Sequence, residues 1–301
     1  VTLTGHKLDV DLEPGSPEWL QTVSASQIAT IVGLSKWNSP HTLWHLKNGT
    51  RPPEKQTAVQ ERGHEFEPLI FGWFRDANPG RRVVETGTWQ HSIRTWQTAN
   101  PDGLVDDDEG LEIKTAEDIY DWHENIPPYY QVQGQWQMDT IGLKRITFAV
   151  CGPFELFHRK PKYFVLEYDP RRAAWLREEA LRFLESIDLG IEPDRDLSRE
   201  DDRMTMRWQH TEIREEGLEI PDELAIPYLT ALSDTKRIEG EKARWAAEIA
   251  AYLQDRKKAT WRGTTLGTRR RTEPPSFSAA KGLADQAPEL LNPTPKAGTA
   301  A

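Results

Sequence analysis

Residues 100–115 read NPDGLVDDDEGLEIKT, and their reading decides the fold. Asn100-Pro101-Asp102-Gly103 is turn chemistry, with proline presetting φ and glycine free to take positive φ. Before it lie two β-like segments, VVETGTWQH at 83–91 and IRTWQTA at 93–99, and after it LVDDDEGLEIKTA also reads as strand. The region therefore predicts a three-stranded meander. In a strand, residues two apart share a face, so Glu112 and Lys114 stand together while Ile113 points into the core.

Working outward, helices are expected on both sides of this sheet. Residues 17–50 read as helical with a break: Ser24 and Ser26 are cap candidates for 27–32, Gly33 a stop, and Pro40 the next start. From 60 to about 75, Phe66, Ile70, Phe71 and Phe74 recur at helical spacing and put Glu67 on or beside the buried face, where a carboxylate needs a reason. Pro127-Pro128 precedes a helix over about 129–142, RITFAVCG and KYFVLEYD supply two more strands, and 171–187 is a helix with a stripe through Leu176, Ala180 and Phe183. This is an α/β arrangement, a mixed central sheet flanked by helices, ending near Gly190 to Pro193. Residues 196–271 read as a helical extension with a narrow apolar seam (Leu229, Leu232, Trp245, Ile249, Leu253) and a small terminal hairpin, and 272–301 as a disordered tail.

Composition excludes several classes. No apolar run is long enough for a membrane span and the opening VTLTGHKLDVDLEPG lacks a signal-peptide layout, so the expectation is a soluble cytoplasmic protein. One cysteine, Cys151, sits in the apolar run ITFAVCG and reads as a small core residue. The 48 acidic against 38 basic residues, net −10, argue against coating DNA by bulk charge; any nucleic-acid contact must be local. No Gly-x-Ser-x-Gly elbow and no His-Glu-x-x-His motif is present. Twelve tryptophans suit base stacking or, more often, core packing, which the patterns around Trp73 and Trp175 favour. Arg269-Arg270-Arg271 reads as a solvated run.

Clustered carboxylates also arise around a divalent metal. Magnesium takes hard oxygen ligands at roughly 2.0–2.1 Å, commonly one or two carboxylates plus water and substrate phosphate. Asp102 and Glu112 suit that role, the Ile113 carbonyl is within reach, and Lys114 suits a water positioner or charge stabiliser. The same Glu-apolar-Lys triplet is also what a half-exposed strand with a surface ion pair looks like.

Four pieces occur together: SASQIATIVGLS (24–35), RGHEFEP (62–68), NPDGLV (100–105) with LEIKT (111–115), and YYQVQGQWQM (129–138). In order and spacing they resemble the YqaJ-type viral recombinase and phage lambda exonuclease family of the PD-(D/E)xK nuclease superfamily, over about 17–195. The resemblance implies a restriction-endonuclease-like core over 1–195 and a magnesium-dependent DNA exonuclease, 5′-to-3′ on duplex ends, acting in phage-type recombination, with manganese as a substitute ion. It implies that Glu67 is a carboxylate near the metal, bound directly or through water, that Asp102 and Glu112 are ligands, that Lys114 is catalytic, and that Gln131 completes the site with Tyr129 flanking it. The other glutamines of that segment are expected to be mostly solvated. Ser26 matches a binder of the DNA 5′-phosphate, with helix capping as its other reading, and Glu67 has an ion pair with Arg62 or Lys55 as its own. Relatives carry an arginine between the Trp of the EWL segment and that serine; here Gln21, Thr22 and Val23 follow Glu18-Trp19-Leu20 without one, and Lys36, Arg62 or Asn100 are candidates to compensate. A homotrimeric ring and a single-strand annealing partner are also implied. Competing readings are a RecB-like or restriction-type endonuclease and a catalytically silent DNA-binding protein of the same fold.

Overall fold

In the computed structural model, which describes residues 3–291 apart from 54, 123, 124, 210, 211, 213, 214, 274 and 275, the chain divides into two units, Val1–Ile213 and Arg214–Ala301. The first runs β1 (Gly5–Lys7), α1 (Pro17–Leu20), α2 (Ala25–Ile31), α3 (Pro40–Lys47), α4 (Ala58–Ala77), β2 (Val83–Glu85), β3 (Trp89–His91), β4 (Thr98–Ala99), β5 (Gly103–Val105), β6 (Glu109–Thr115), α5 (Pro128–Ile141), β7 (Arg145–Cys151), α6 (Pro153–His158), β8 (Lys162–Glu167), α7 (Pro170–Asp188) and α8 (Glu200–Trp208).

Helix starts follow local chemistry. Ser39 Oγ accepts the Thr42 N–H at 2.9 Å ahead of Pro40, Thr57 and Gln60 exchange hydrogen bonds at the head of α4, and Asp169 accepts the Arg171 and Arg172 N–H groups ahead of Pro170. Gly142 ends α5 at φ 93°, where a side chain would be strained and a Cβ would stand 2.8 Å from the Thr4 nitrogen.

The central sheet has the order β2-β5-β6-β7-β8, antiparallel except for the β6–β7 pair, with helices on both faces. Alternation sorts its side chains. Leu111 and Ile113 join Ile70, Phe71 and Phe74 of α4 in one apolar cluster, while Leu104, Ile146, Phe148 and Val150 meet Val132, Trp136 and Ile141 of α5 in the other. Gly134 allows α5 to settle closely: a Cβ there would stand 3.0 Å from Ile146 and Leu166 and 3.1 Å from Phe148. The β5–β6 hairpin turns through Asp106 and Asp107 at φ 52° and 60°, a region aspartate tolerates better than most residues, with Arg81 and Arg82 paired to them.

The expected meander is divided between two sheets. β2 pairs with β5 in the central sheet, whereas β3 pairs with β1 and β4 in a separate three-stranded sheet. Residues 93–97 turn instead of extending, because His91 Nδ1 accepts the Ile93 and Arg94 N–H groups at 3.1 and 3.0 Å and the Gln97 N–H returns to the Arg94 carbonyl. The first unit also runs past residue 195. Asp202 and Thr205 of α8 are buried, and Thr42 Oγ1 lies 3.1 Å from Asp202 Oδ1 and 2.9 Å from Thr205 Oγ1, so α8 packs on α3 as part of that unit.

The second unit holds α9 (Asp222–Leu253), β9 (Lys258–Trp261), β10 (Thr264–Arg270), β11 (Ser276–Ala279) and α10 (Leu283–Leu291). The expected hairpin has a third strand, since β11 pairs with β10, and part of the tail expected to be disordered is therefore strand and helix. Residues 292–301 of that tail lie outside the described residues. Of the α9 seam, Leu253 is buried while Leu229, Leu232 and Trp245 are exposed.

Trp73 packs against the α4 cluster, but Trp175 is exposed; among the described residues of the first unit Trp44, Trp89, Trp122 and Trp136 are buried. Cys151 is buried, and burial pushes its thiol up to about 12, away from thiolate chemistry. Among the described residues no helix is long and apolar enough to cross a membrane.

Candidate metal centre

The centre is built on a fork between two strands. β5 and β6 pair from Val105↔Glu109 to Gly103↔Leu111; Pro101 has no N–H to carry the ladder on, while β6 continues along β7 to Thr115. The Ile113 N–H, past the last β5 partner, donates to Asp102 Oδ2 at 2.5 Å. A residue's N–H and C=O leave an extended strand at the same edge, so the Ile113 carbonyl faces the fork as well. Gly103 is needed at the hinge: a Cβ there would stand 2.8 Å from the Phe71 ring and 3.1 Å from the Val84 carbonyl.

On the α5 face of β6, Glu112 is buried and accepts three donors. Its Oε1 accepts Lys114 Nζ at 2.6 Å and Gln133 Nε2 at 2.5 Å, and its Oε2 accepts Gln137 Nε2 at 2.7 Å. Lys114 Nζ lies 4.9 Å from the Tyr130 ring centre. Burial, then the charges of Glu112 and Glu67, push the Asp102 carboxyl well above the usual carboxylate range, although Lys114 and the Ile113 N–H work against this. Burial alone would lower the Lys114 pKa, yet Glu112, Tyr130 and Asp102 outweigh it and hold the ammonium above lysine's ordinary value. Asp102, crowded by Glu112 and Glu67 with Lys114 as the nearby ammonium, carries a charge excess that a divalent cation would offset, and Asp102 Oδ1 has no protein donor among the described residues. Glu67, Asp102 and Glu112 are not drawn tightly together: among the described residues only His41, His45 and Glu192 bring three such ligand atoms within 4.8 Å of one another.

The expected residues divide as follows. Glu67 is half-buried on α4 and contacts His64 at 3.5 Å, not Arg62 or Lys55; Arg62 is exposed and lies 3.7 Å from Glu117. Gln131 does not touch Glu112: it donates to the Ile126 carbonyl at 2.6 Å and accepts Arg172 at 2.7 Å. Gln133 and Gln137 occupy the position expected of it, and Gln135 and Gln137 are buried, not solvated. Their signal was present, since residues 133 and 137 are one helical turn apart. Ser24, not Ser26, caps α2, with its N–H donating to Gln27 Oε1 at 3.0 Å; Ser26 is exposed, its hydroxyl 3.1 Å from that of Ser24. Asn100 is exposed two residues before Asp102. Tyr129 is buried, 4.4 Å from Tyr130 ring to ring, with Lys36 Nζ 5.2 Å from its ring centre and 2.8 Å from Asp121.

A raised carboxyl pKa in the folded state is a stability statement. Below the unfolded value near 3.8 the Asp102 proton is present in both states and costs nothing; as pH rises through the folded value, the fold loses stability relative to that limit. Asp102→Asn keeps an acceptor for the Ile113 N–H and removes the charge. The variant is expected to melt above the wild type in chelator at pH 7, to lose that advantage by about pH 4, and to lose it at pH 7 when magnesium is added, because a ligand of the native state stabilises only the protein that binds it. Thermal melts of both proteins under the three conditions check this; equal melting at pH 7 in chelator would contradict the charge crowding.

Residues 18–144 match the family described as the YqaJ-like viral recombinase domain. The uncharacterized protein YqaJ of Bacillus subtilis (strain 168) is 29% identical over 150 residues, 46% of this chain and 47% of that protein, so the chain spans about half the length of this curated relative. Among solved structures, an alkaline exonuclease, LHK-Exo, from Laribacter hongkongensis superposes with a TM-score of 0.51 at 25% identity, over 58% of this chain and 94% of that one. The complex of LHK-Exo with dAMP gives 0.50 at 26%, over 57% and 91%. Glu67, Asp102, Glu112 and Lys114 all fall inside the matched stretch. Over residues 18–144, this chain is similar to the YqaJ-like viral recombinase domain family.

Proposed function

We propose that this chain is a metal-dependent deoxyribonuclease that degrades duplex DNA from its ends, 5′-to-3′, in phage-type recombination. The observation that carries the reading is the strand fork, where Asp102 bonds the Ile113 main chain and the residues on either side, Glu112 and Lys114, pair with each other, in a domain similar to that of an alkaline exonuclease. Asp102, Glu112, the Ile113 carbonyl and Glu67, directly or through water, would hold magnesium, or manganese in its place, which when bound would supply Lewis-acid activation of water and neutralise phosphate charge.

The protein's own groups do the rest. Gln133 and Gln137 fix the Glu112 carboxylate from one helix face, so it needs no reorganisation on binding. Lys114, held protonated, does not accept a proton; it orients the attacking water or stabilises charge on the phosphate. Ser26, Asn100, Arg62 and Tyr129 are the proposed DNA contacts. Lys36 belongs with them, since the row Lys36, Tyr129, Tyr130, Lys114 leads from surface to centre. A homotrimeric ring would concentrate such local basic groups despite the net charge of −10, and a single-strand annealing protein would take the product strand.

The test is digestion of linear duplexes bearing 5′-phosphate or 5′-hydroxyl ends, beside closed circular DNA, in magnesium, manganese or chelator. Linear DNA is expected to be shortened from its 5′ ends with either ion, and circles to remain closed. Cutting of circles would make the protein an endonuclease of the same fold. No cleavage with either ion would leave a DNA-binding protein.

A further inference from the structure

His41 and His45 lie one turn apart on α3, both buried, with ring centroids 4.6 Å apart. Their Nε2 atoms are 3.9 and 3.8 Å from Glu192 Oε2, in the segment that leaves α7. The three ligand atoms lie within 4.8 Å of one another. Neither ring nitrogen of His41 has a hydrogen-bond partner, an unusual state for a histidine 1% exposed.

The outer contacts also suit a metal. His45 Nδ1 is 2.7 Å from Thr50 Oγ1, and His41 Nδ1 is 3.4 Å from Asp202 Oδ1 without being hydrogen-bonded to it, so each ring has an oxygen behind it while Nε2 faces Glu192. That is the usual arrangement behind ligating imidazoles, which donate their second N–H to a carboxylate or similar oxygen. The Gln209 carboxamide stands 3.0 Å from His45 Nε2, and rotating that amide would bring its oxygen to the same point.

We propose that His41, His45 and Glu192 form a zinc site separate from the carboxylate centre. Two imidazoles and a carboxylate are ligands zinc takes readily, whereas magnesium prefers oxygen throughout. A tetrahedral ion at roughly 2.0–2.1 Å from its donors spaces them about 3.3 Å apart, so the half-exposed Glu192 has to close by about half an ångström. The sequence His41-Thr-Leu-Trp-His45 has the spacing of a zinc-protease helix but carries Thr42 where the general base would stand, and Thr42 Oγ1 is committed to Asp202 and Thr205. The site is therefore structural: it ties α3 to the chain leaving α7 and performs no hydrolysis.

The full chain, stripped with chelator, is titrated with zinc in excess magnesium, and bound zinc is measured by elemental analysis and by competition with a chromophoric chelator. One zinc per chain is expected in the wild type and in Glu112→Gln, with affinity about 10–100-fold weaker in Glu192→Gln and weaker still in His45→Asn. Cobalt in place of zinc is expected to give the visible absorption of a tetrahedral site. Circular dichroism establishes that each variant is folded; should His45→Asn fail to fold, the half-exposed Glu192→Gln decides. Absence of zinc uptake by folded wild type, uptake unchanged in Glu192→Gln, or uptake lost in Glu112→Gln would each overturn the proposal.

Discussion

Lys114→Ala lowers DNA hydrolysis by roughly 10²–10³-fold at saturating magnesium while leaving a folded protein; this is the expected result if the strand fork is a nuclease centre. The Nζ is held 2.6 Å from Glu112 and near Asp102, and those charges keep it cationic, so its contribution is to the charge that builds on the phosphate in the transition state. A loss of this size corresponds to about 2.7–4 kcal/mol, the range for one preorganised donor aimed at developing charge. Folding suffers less. Glu112 keeps its bonds from Gln133 and Gln137, and a divalent cation at the fork would offset part of the lost positive charge. The variant is therefore expected to bind DNA ends nearly as the wild type does and to fail in turnover. Single-turnover hydrolysis, end binding and melting temperature, measured together, separate these effects. A rate within a few-fold of wild type would remove Lys114 from the chemistry and leave the triplet as a half-buried ion pair.

The part of this centre that was legible in the sequence is the part governed by local periodicity. Alternation along 111–115 places Ile113 in the α4 cluster and Glu112 and Lys114 on the opposite face, as the strand reading requires. Serine and proline signals marked the starts of α2 and α3, and a mixed sheet flanked by helices followed from the order of elements. What failed depended on pairing over distance or on the wrong period. β2 and β3 are three residues apart yet enter different sheets, because their partners, β5 and β1, lie far off in the sequence. The glutamines of 131–137 alternate in sequence, which disguises the four-residue spacing that aims Gln133 and Gln137 at Glu112. The boundary at 195 failed for a similar reason: polar residues without apolar period looked like linker, but Asp202 and Thr205 are buried through hydrogen bonds instead of apolar area.

Asp139 is another such case, and its replacement by alanine is expected to cost about 3–5 kcal/mol of stability. The carboxylate is buried on α5 and accepts Gln97 at 2.9 Å, Arg94 at 3.0 Å, Tyr168 at 2.7 Å and Arg177 at 2.6 Å, which joins α5 to the β3–β4 turn, the end of β8, and α7. Removing it leaves two guanidinium groups facing each other with water reaching each in part, their side chains 29% and 27% exposed, which places the cost toward the lower end. At roughly 2–4 °C per kcal/mol for a unit of this size, melting is expected to fall by about 6–15 °C. The pH dependence follows from the direction of the shift. Burial would raise the Asp139 carboxyl, but Gln97, Tyr168 and Arg177 overcome this and hold it below 3.8, so its stabilisation is present above that value and is lost as pH falls through the lower folded value. The gap between wild type and Asp139→Ala should thus be constant from pH 5 to 8 and close in stronger acid, as denaturant melts at each pH would record. A gap below 1 kcal/mol at pH 7 would mean that the arginines find other partners. A gap of the expected size, with hydrolysis per folded molecule retained, would establish that this network holds up the helix carrying Gln133 and Gln137 without taking part in the reaction.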